Sequence, residues 1–453
     1  MGILFGTDGV RGVANSELTC ELAFKLGQAG AYVLTGETHH RPRILVGRDT
    51  RISGNMLEAA LVAGICSVGA EAALVGVLPT PAVAYLTRAY EADAGVMISA
   101  SHNPVEDNGI KFFNAQGYKL ADAIEDAIED IILNNRKELP QPIGAEVGAS
   151  VQMRNARRDY IRFLQSTMGT SLEGLFIVLD CANGAASRVA PEVFQSMGAK
   201  VCAFYDDPDG TNINDNCGST HPKHLQQRVV ELGADVGLAF DGDADRLIAV
   251  DGRGVIVDGD QIMAICAGEM RRHGTLKKDT LVATVMSNMG LDLAMRREGV
   301  KIEKTGVGDR YVLEKMLAEG YNLGGEQSGH IIFSDFNTTG DGMVSALQLT
   351  GIMARTGKPL CELADIMQVL PQVLVGAKVS NERKDYFAKE AAIAQRIALL
   401  DSKYAGRGRV LVRASGTEPL VRVMIEGEDM EEMQRDAQGL AQLIEQQLKV
   451  CPE

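Results

Sequence analysis

No apolar run in this 453-residue chain approaches the roughly 20 residues that a membrane-spanning helix requires. Runs of lysine and arginine are missing as well, and the formal net charge is −15 with an isoelectric point near 5.1. An acidic chain without a basic cluster is poorly suited to nucleic acid or to an anionic membrane. None of the eight cysteines (20, 66, 181, 202, 217, 266, 361, 451) belongs to a Cys-x-x-Cys pair. Most have apolar neighbours, as in Ile65-Cys66 and Ile265-Cys266, a pattern of reduced thiols in a cytoplasmic protein. The first residues carry neither a basic cluster nor a long apolar stretch, so no signal peptide is expected. Apolar residues make up 45%, ample for several cores, and the length points to about three domains of ordinary size. An anionic substrate would need cations gathered locally against the overall field, which makes loop arginines and lysines worth following.

Strand and helix patterns alternate along most of the chain. Helix spacing runs over 18–34, and Arg43 to Gly47 reads as a strand. Ser53 caps a helix to about Val68, and Ala72–Val77 is the next strand. An amphipathic helix is expected over 120–133. Leu139 to Ser150 is rich in Gly, Pro and polar residues and reads as a linker. The alternation restarts with a helix at 154–165, strand 175–179, helix 187–197, strand 200–204, helix 222–232 and strand 236–240. A third unit begins near Asp258, with helix 261–271, strand 280–284 and helices 291–297 and 310–319. Such order implies α/β units with mainly parallel sheets. From about Pro371 the order changes: helix 383–400, strand 409–412, loop 413–419, strand 421–426 and a last helix, a smaller α+β domain.

The stretch Gly95 to Lys111 organises the rest. Val96 to Ile98 reads as a buried strand that breaks into Ser99-Ala-Ser101-His102-Asn103-Pro104, a cluster of turn formers. A serine set on a strand end is expected to be exposed and held, which suits a nucleophile or a phosphate carrier. Asn108-Gly109 is expected to turn the chain and return Lys111 toward it. The frame Ala92-Asp-Ala-Gly-Val-Met-Ile-Ser99-Ala-Ser101 repeats as Ala234-Asp-Val-Gly-Leu-Ala-Phe-Asp241-Gly-Asp243. Two related units thus present loops at the same strand end, one with serines and one with carboxylates. A looser third copy is Asn322-Leu-Gly-Gly-Glu326-Gln-Ser328-Gly-His330.

Asp241, Asp243 and Asp245 fall at i, i+2 and i+4, so an extended chain can turn all three to one point. Hard oxygens around one point describe a Mg²⁺ or Ca²⁺ site. An EF-hand beginning at Asp241 fails, because its sixth position is Arg246 and its twelfth Gly252. Arg413-Ala-Ser415-Gly416-Thr417-Glu418-Pro419-Leu-Val-Arg422 offers two guanidiniums, two hydroxyls and backbone N–H groups, a set that suits a phosphate dianion. Gly324 to His330 packs donors and acceptors that could read sugar hydroxyls. Residues 1–12 hold four glycines around Arg11 and read as a flexible loop that brings this cation to an anion. Gly306-Val-Gly308-Asp309-Arg310 lacks the third glycine of a dinucleotide fingerprint. Gly308, Asp309 and Arg310 are kept as substrate-binding candidates. Taken singly, each of these stretches also describes an ordinary polar turn.

Taken together, in this order and spacing, the serine stretch 99–104, the metal loop 241–246, the sugar loop and the C-terminal phosphate loop resemble the α-D-phosphohexomutases over essentially the whole chain. Within the family, Gly325 to His330 and Phe5-Gly-Thr-Asp-Gly-Val-Arg11-Gly are similar to members that act on an amino sugar. The resemblance implies four domains around a central cleft: three related α/β units (1–150, 155–257, 258–370) and a smaller α+β domain (371–453). It implies that Ser101 is phosphorylated and that Asp241, Asp243 and Asp245 hold one Mg²⁺ together with a phosphate oxygen on Ser101. Arg11, His102, Lys111 and Arg246 would line the transfer site. Lys111 is the first choice of general base, a role that needs a depressed pKa. Glu326, Ser328 and His330 would contact the sugar, and Arg413, Ser415, Gly416, Thr417 and Arg422 would hold the phosphate that is not reacting.

The activity so implied interconverts glucosamine 6-phosphate and glucosamine 1-phosphate through a 1,6-bisphosphate, feeding UDP-N-acetylglucosamine biosynthesis. A hexose 1,6-bisphosphate would serve as primer. The partner would be a small sugar phosphate, with neither nucleic acid nor membrane, in the cytoplasm, and a homodimer is compatible with this. Three other readings stand beside it: a glucose- or mannose-specific member of the family, a phosphotransferase whose nucleophile is Asp241, and a sugar-phosphate sensor without turnover.

Overall fold

The computed structural model describes residues 3–6, 8–36, 38–134, 138–380, 382–415 and 419–448. They fall into two compact units, one built from Met1–Met286 with Glu298–Ile366, the other from Ser287–Arg297 with Met367–Glu453.

The first unit contains three sheets with helices between their strands. The first sheet has β1 (Val10–Val13), β2 (Arg43–Arg48), β3 (Glu71–Val77), β4 (Ala94–Ile98), β5 (Asp107–Asn114) and β6 (Ser150–Gln152), in the order β1-β5-β4-β2-β3-β6. The second has β7 (Phe176–Asp180), β8 (Lys200–Phe204), β9 (Val236–Phe240), β10 (Leu247–Asp251) and β11 (Ile256–Val257), in the order β11-β10-β9-β7-β8. The third has β12 (Thr280–Thr284), β13 (Lys301–Thr305), β14 (Leu323–Gly325) and β15 (Ile331–Phe333), in the order β13-β12-β14-β15.

One device recurs in all three. The central strands run parallel, joined by crossovers, and one of them then turns back as an antiparallel hairpin: β4 into β5, β9 into β10, β14 into β15. Strands β4 and β9 are buried along their whole length. Coverage on both faces is what their unbroken apolar runs require. The serine loop, the carboxylate loop and the loop 326–330 are the three hairpin turns. The looser third copy in the sequence therefore occupies the same topological place as the other two. In the first sheet Leu26, Leu57, Leu61, Val46, Val96, Ile98 and Ile110 form one continuous core beneath this edge.

Several local expectations change. The glycine-rich lead-in is not loop throughout: Val10–Val13 forms β1, pairing antiparallel with β5 so that Arg11 lies opposite Gly109. Asn108 and Gly109 are inside β5 rather than at a turn, and the chain reverses earlier, between Ser101 and Glu106. Buried strands accept them because Asn108 bonds Ser53 through its side-chain amide at 2.9 Å and caps the Gly109 amide at 2.8 Å. The linker at 139–150 holds a 3₁₀ turn, Gly144–Glu146, and runs into β6, which extends the first sheet beside β3. Helices at Thr80–Ala89 and Gly342–Thr356, not anticipated from spacing, are buried at most of their positions.

The second unit is a three-stranded antiparallel sheet of β16 (Gln372–Lys378), β17 (Arg409–Ala414) and β18 (Leu420–Glu426), with helices Ala391–Tyr404 and Met430–Gln447 against it. Strand β16 was not anticipated. The helix expected over 383–400 is a 3₁₀ segment, Lys384–Lys389, followed by Ala391–Tyr404. Helix Met289–Arg297, expected in the third α/β unit, belongs with this sheet. The Asn288 amide donates to Leu370 O at 3.0 Å, the Met289 N–H donates to Glu426 at 3.0 Å, and Arg409 pairs with Glu426 at 2.6 Å.

No helix among the described residues is long and apolar enough to cross a membrane.

Candidate active site

The serine loop leaves β4 at Ile98 and is held from below. Ser99 Oγ donates to Asp49 at 2.7 Å and accepts from the Ser101 N–H at 2.9 Å. Ser101 itself adopts the left-handed region, φ 53°. Its Oγ donates to Asp241 Oδ2 at 2.6 Å and lies 3.4 Å from His102 Nδ1. The sequence reading expected an exposed serine, yet Ser101 is 2% exposed. The carboxylate loop covers it, and that approach needs glycine at 242: a Cβ there would meet Ser101 O at 2.6 Å.

Asp241, Asp243 and Asp245 are all buried, and one oxygen from each lies within 4.8 Å of the others. Oδ1 of Asp243 and Oδ1 of Asp245 have no hydrogen-bond partner among the described residues. Buried acceptors without a donor are costly, and a hard cation is the partner that three carboxylate oxygens fit. Burial, then the Asp245 and Asp243 charges, push the Asp241 carboxyl well above its usual range. Burial works the same way on Asp243, but the Lys111 ammonium and the Thr80 and Lys111 hydrogen bonds outweigh it and hold that carboxyl low.

From the metal loop a chain of alternating charge runs through all three sheets. Asp243 meets Lys111 Nζ at 2.9 Å, and Lys111 meets Asp8 at 3.0 Å. Asp8 meets Lys119 at 2.7 Å, and Lys119 meets Asp309 at 2.6 Å. Asp309 lies 3.3 Å from His330 Nε2, and His330 Nδ1 lies 3.5 Å from Asp245. The ring thus begins and ends on the metal loop. Burial alone would strip His330 of its proton, but Asp245 and Asp309 raise it to about 9. The Gly340 N–H also donates to Nε2 at 3.1 Å, a contact open only to the neutral ring.

Lys111 corrects an expectation. A general base needs a lysine of depressed pKa; here burial lowers it, but Asp243, Asp8 and Asp245 together carry it above the ordinary lysine range. In this arrangement the neighbouring carboxylates favour the protonated form of Lys111. His102 is the contrasting group: burial, Arg246 and Arg11 lower its imidazole to about 4. Arg11 pairs with Asp8. The Nε groups of Arg11 and Arg246 are buried without a hydrogen-bond partner among the described residues.

The remaining candidates divide. Glu326 accepts the Gly308 N–H at 3.2 Å, which joins the sugar loop to the start of helix Asp309–Glu319. Gly308 has φ 127°, a conformation side-chain-bearing residues avoid. Ser328 is exposed on the same hairpin. Arg310 pairs with Asp122 and with Glu314 at 3.1 Å. It lines the same cavity as Lys119 and Asp309. In the second unit Arg413 and Arg422 face each other across β17 and β18, and burial and then Arg422 lower the Arg413 guanidinium. Ser415 is 3% exposed, and its carbonyl accepts from Lys384 Nζ at 2.5 Å. Gly416 and Thr417 lie outside the described residues.

Sequence reasoning missed Asp8, Thr80, Lys119, Arg51 and Asn214. Asp8 was visible inside the glycine-rich opening, next to the arginine singled out there. Arg48-Asp49-Thr50-Arg51, a charged run at the end of a buried strand, was also a signal. Lys119 carries none, and Asn214 does not stand out within the mostly polar run Asn212 to Asn216.

Four family models match in order: phosphoglucomutase/phosphomannomutase alpha/beta/alpha domain I over residues 2–139, domain II over 158–254, domain III over 258–370 and the C-terminal domain over 374–443. A phosphoglucosamine mutase of Acetivibrio thermocellus is 59% identical over 448 residues, 99% of this chain and 100% of that protein. One of Clostridium novyi is 61% identical over 446 residues, 98% and 99% of the two chains. Among solved structures, a phosphoglucomutase/phosphomannomutase family protein of Burkholderia thailandensis superposes with TM-score 0.83 at 24% identity, covering 98% of both chains. N-acetylphosphoglucosamine mutase of Aspergillus fumigatus, solved with GlcNAc-6P and magnesium, has TM-score 0.69 at 19% identity, covering 99% of this chain and 96% of that one. At such identities these two speak for the fold alone. The chain belongs to the phosphoglucomutase/phosphomannomutase family, the α-D-phosphohexomutases, and within it resembles the bacterial phosphoglucosamine mutases.

Proposed function

We propose that this isomerase interconverts glucosamine 6-phosphate and glucosamine 1-phosphate, with Ser101 as the phosphoryl carrier. The observation that carries the reading is the 2.6 Å contact of Ser101 Oγ with Asp241, in a cluster whose other two carboxylates each keep one buried oxygen without a hydrogen bond among the described residues. The choice of an amino sugar is supported by relatives of about 60% identity that are named for it.

In the forward direction the bond between phosphorus and Ser101 Oγ breaks, the C1 hydroxyl oxygen of glucosamine 6-phosphate takes the phosphoryl group, and its proton passes to the departing Ser101 Oγ. The 1,6-bisphosphate reverses in place. The bond between phosphorus and the C6 oxygen then breaks, Ser101 Oγ takes that phosphoryl group and gives its proton to the C6 oxygen, and glucosamine 1-phosphate leaves behind an enzyme that is again phosphorylated. A magnesium ion held by Asp241, Asp243 and Asp245 would offset the negative charge on the phosphoryl group. Lys111, Arg11 and Arg246 contribute fixed positive charge for its oxygens. His102, neutral near pH 7, turns Nδ1 toward the serine oxygen. Glu326, Ser328 and His330 read the sugar. Arg413, Ser415, Gly416, Thr417 and Arg422 grip the phosphate that is not reacting. A hexose 1,6-bisphosphate would prime Ser101. The domain limits of this reading are 1–150, 155–257, 258–370 and 371–453.

Asp241 as the nucleophile is the rival to exclude. Protein labelled with radioactive glucose 1,6-bisphosphate and treated with hydroxylamine should keep its label, because a serine ester resists hydroxylamine. Loss of the label would identify an acyl phosphate and place the nucleophile on a carboxylate.

A further inference from the structure

Two fully separate segments grip the backbone of the serine loop. Arg51, just beyond β2, donates through Nη2 to Ser101 O at 3.0 Å and to Asn103 O at 2.8 Å, and through Nη1 to Pro104 O. Asn214, in the segment after β8, donates through Nδ2 to the same two carbonyls, Ser101 O at 2.9 Å and Asn103 O at 3.0 Å. Arg51 is wholly buried and pairs with the equally buried Asp49 at 3.0 Å. Asn214 is fixed through its own N–H, which donates to Ala182 O at 2.9 Å.

We propose that Arg51 and Asn214 are positioning residues that clamp these carbonyls and so hold Ser101 in the left-handed turn that aims its Oγ at Asp241. The proposal rests on Ser101 being the phosphoryl carrier. A residue with a Cβ is strained at φ 53° and relaxes unless its surroundings over-determine it. Relaxation would rotate the peptide after Ser101 and pull its carbonyl off both donors, leaving a buried acceptor unpaired. The clamp also sets the spacing of two units. The amide of Asn214 packs against Gly242, where a Cβ would lie 2.9 Å from Nδ2 and 2.6 Å from Ser101 O. One side chain of the second α/β unit thereby touches the serine loop and the carboxylate loop together, and the distance from Ser101 to Asp241 depends on it.

Asn214→Gly provides the test. Asn214 has φ 58°, so glycine keeps its backbone and removes only the amide. Melting temperature should stay near wild type. With glucosamine 6-phosphate, kcat should fall about ten- to a hundredfold while KM stays within about twofold, the pattern of a displaced reacting group. Arg51→Lys, which keeps a cation beside Asp49 but loses the fork, should show the same split. A crystal structure of Asn214→Gly should show Ser101 out of the left-handed region or Oγ moved off Asp241. Wild-type kcat in both variants, or Ser101 unmoved in that crystal, overturns the clamp. Absence of isomerase turnover in the wild type would instead refute the proposed function, and the crystal structure would still decide the clamp.

Discussion

Ser101 and Asp241 stand 140 residues apart in the chain, and their side chains meet at 2.6 Å. Asp241 directly follows β9 and Ser101 lies three residues beyond β4, each in the hairpin turn that follows the equivalent buried strand of its own sheet. On the proposed function, one hairpin bears the carrier hydroxyl and the other bears the carboxylates that would hold the metal.

Ser101→Ala should remove the phosphorylated species, about 80 Da heavier in the intact mass spectrum, together with most activity. Full activity in this variant would end the assignment. Ser99 is no substitute, because its hydroxyl is committed to Asp49 and to the Ser101 amide.

Asp243→Asn should weaken Mg²⁺ binding in calorimetric titration, since it removes a charge and one of the unpaired oxygens. It also leaves Lys111 with one carboxylate partner fewer. Equal Mg²⁺ affinity in wild type and variant would take Asp243 out of the metal site.

Lys119 bridges Asp8 and Asp309 with little exposure. Lys119→Met leaves two carboxylates facing each other without their cation and should destabilise the fold by about 3 kcal/mol. Adding Asp309→Asn should recover part of that loss in urea unfolding. A double variant no more stable than the single one would mean that the pair is not coupled as its geometry requires.

His330 gives a pH signature. Its proton is held more tightly in the folded than in the unfolded chain, about 9 against about 6.5. The resulting stabilisation is complete below pH 6.5 and is lost as pH rises through 9. An NMR titration of the magnesium-free protein should place the His330 midpoint near 9, and Asp309→Asn should move it down. A midpoint at the ordinary histidine value would break the charge ring at this link.

Arg413→Ala should weaken glucosamine 6-phosphate and glucosamine 1-phosphate alike, by roughly 1.5–3 kcal/mol, one to two powers of ten in affinity. The reason is that both phosphates must occupy the same non-reacting position in turn. Assays in both directions decide it, and a loss confined to one substrate would assign the loop to one orientation.

The repeated Ala-Asp-x-Gly frame made the two main hairpins legible, because a strand buried on both faces has to be written in apolar residues and a loop at its end does not. Asp241, Asp243 and Asp245 were legible as a cluster, but a turn through Ala244, at φ 56°, brings them together rather than the extended chain their period of two suggested. The serine's burial was not, since it depends on a loop of another unit closing over it. The proton affinity of Lys111 was not legible, because Asp8 and Asp243 come from distant segments whose approach no local pattern encodes. Helix Gly342–Thr356 escaped for the opposite reason: a helix buried on nearly every side has no polar face to give it a period.

The most direct test of the account is a side-by-side assay of glucosamine, N-acetylglucosamine, glucose and mannose 6-phosphates, with Mg²⁺ and a bisphosphate primer. The account predicts the highest kcat/KM for glucosamine 6-phosphate and glucosamine 1-phosphate as its product. An equal or higher kcat/KM for mannose or glucose 6-phosphate, or no isomerisation of the amino sugar at all, would contradict it.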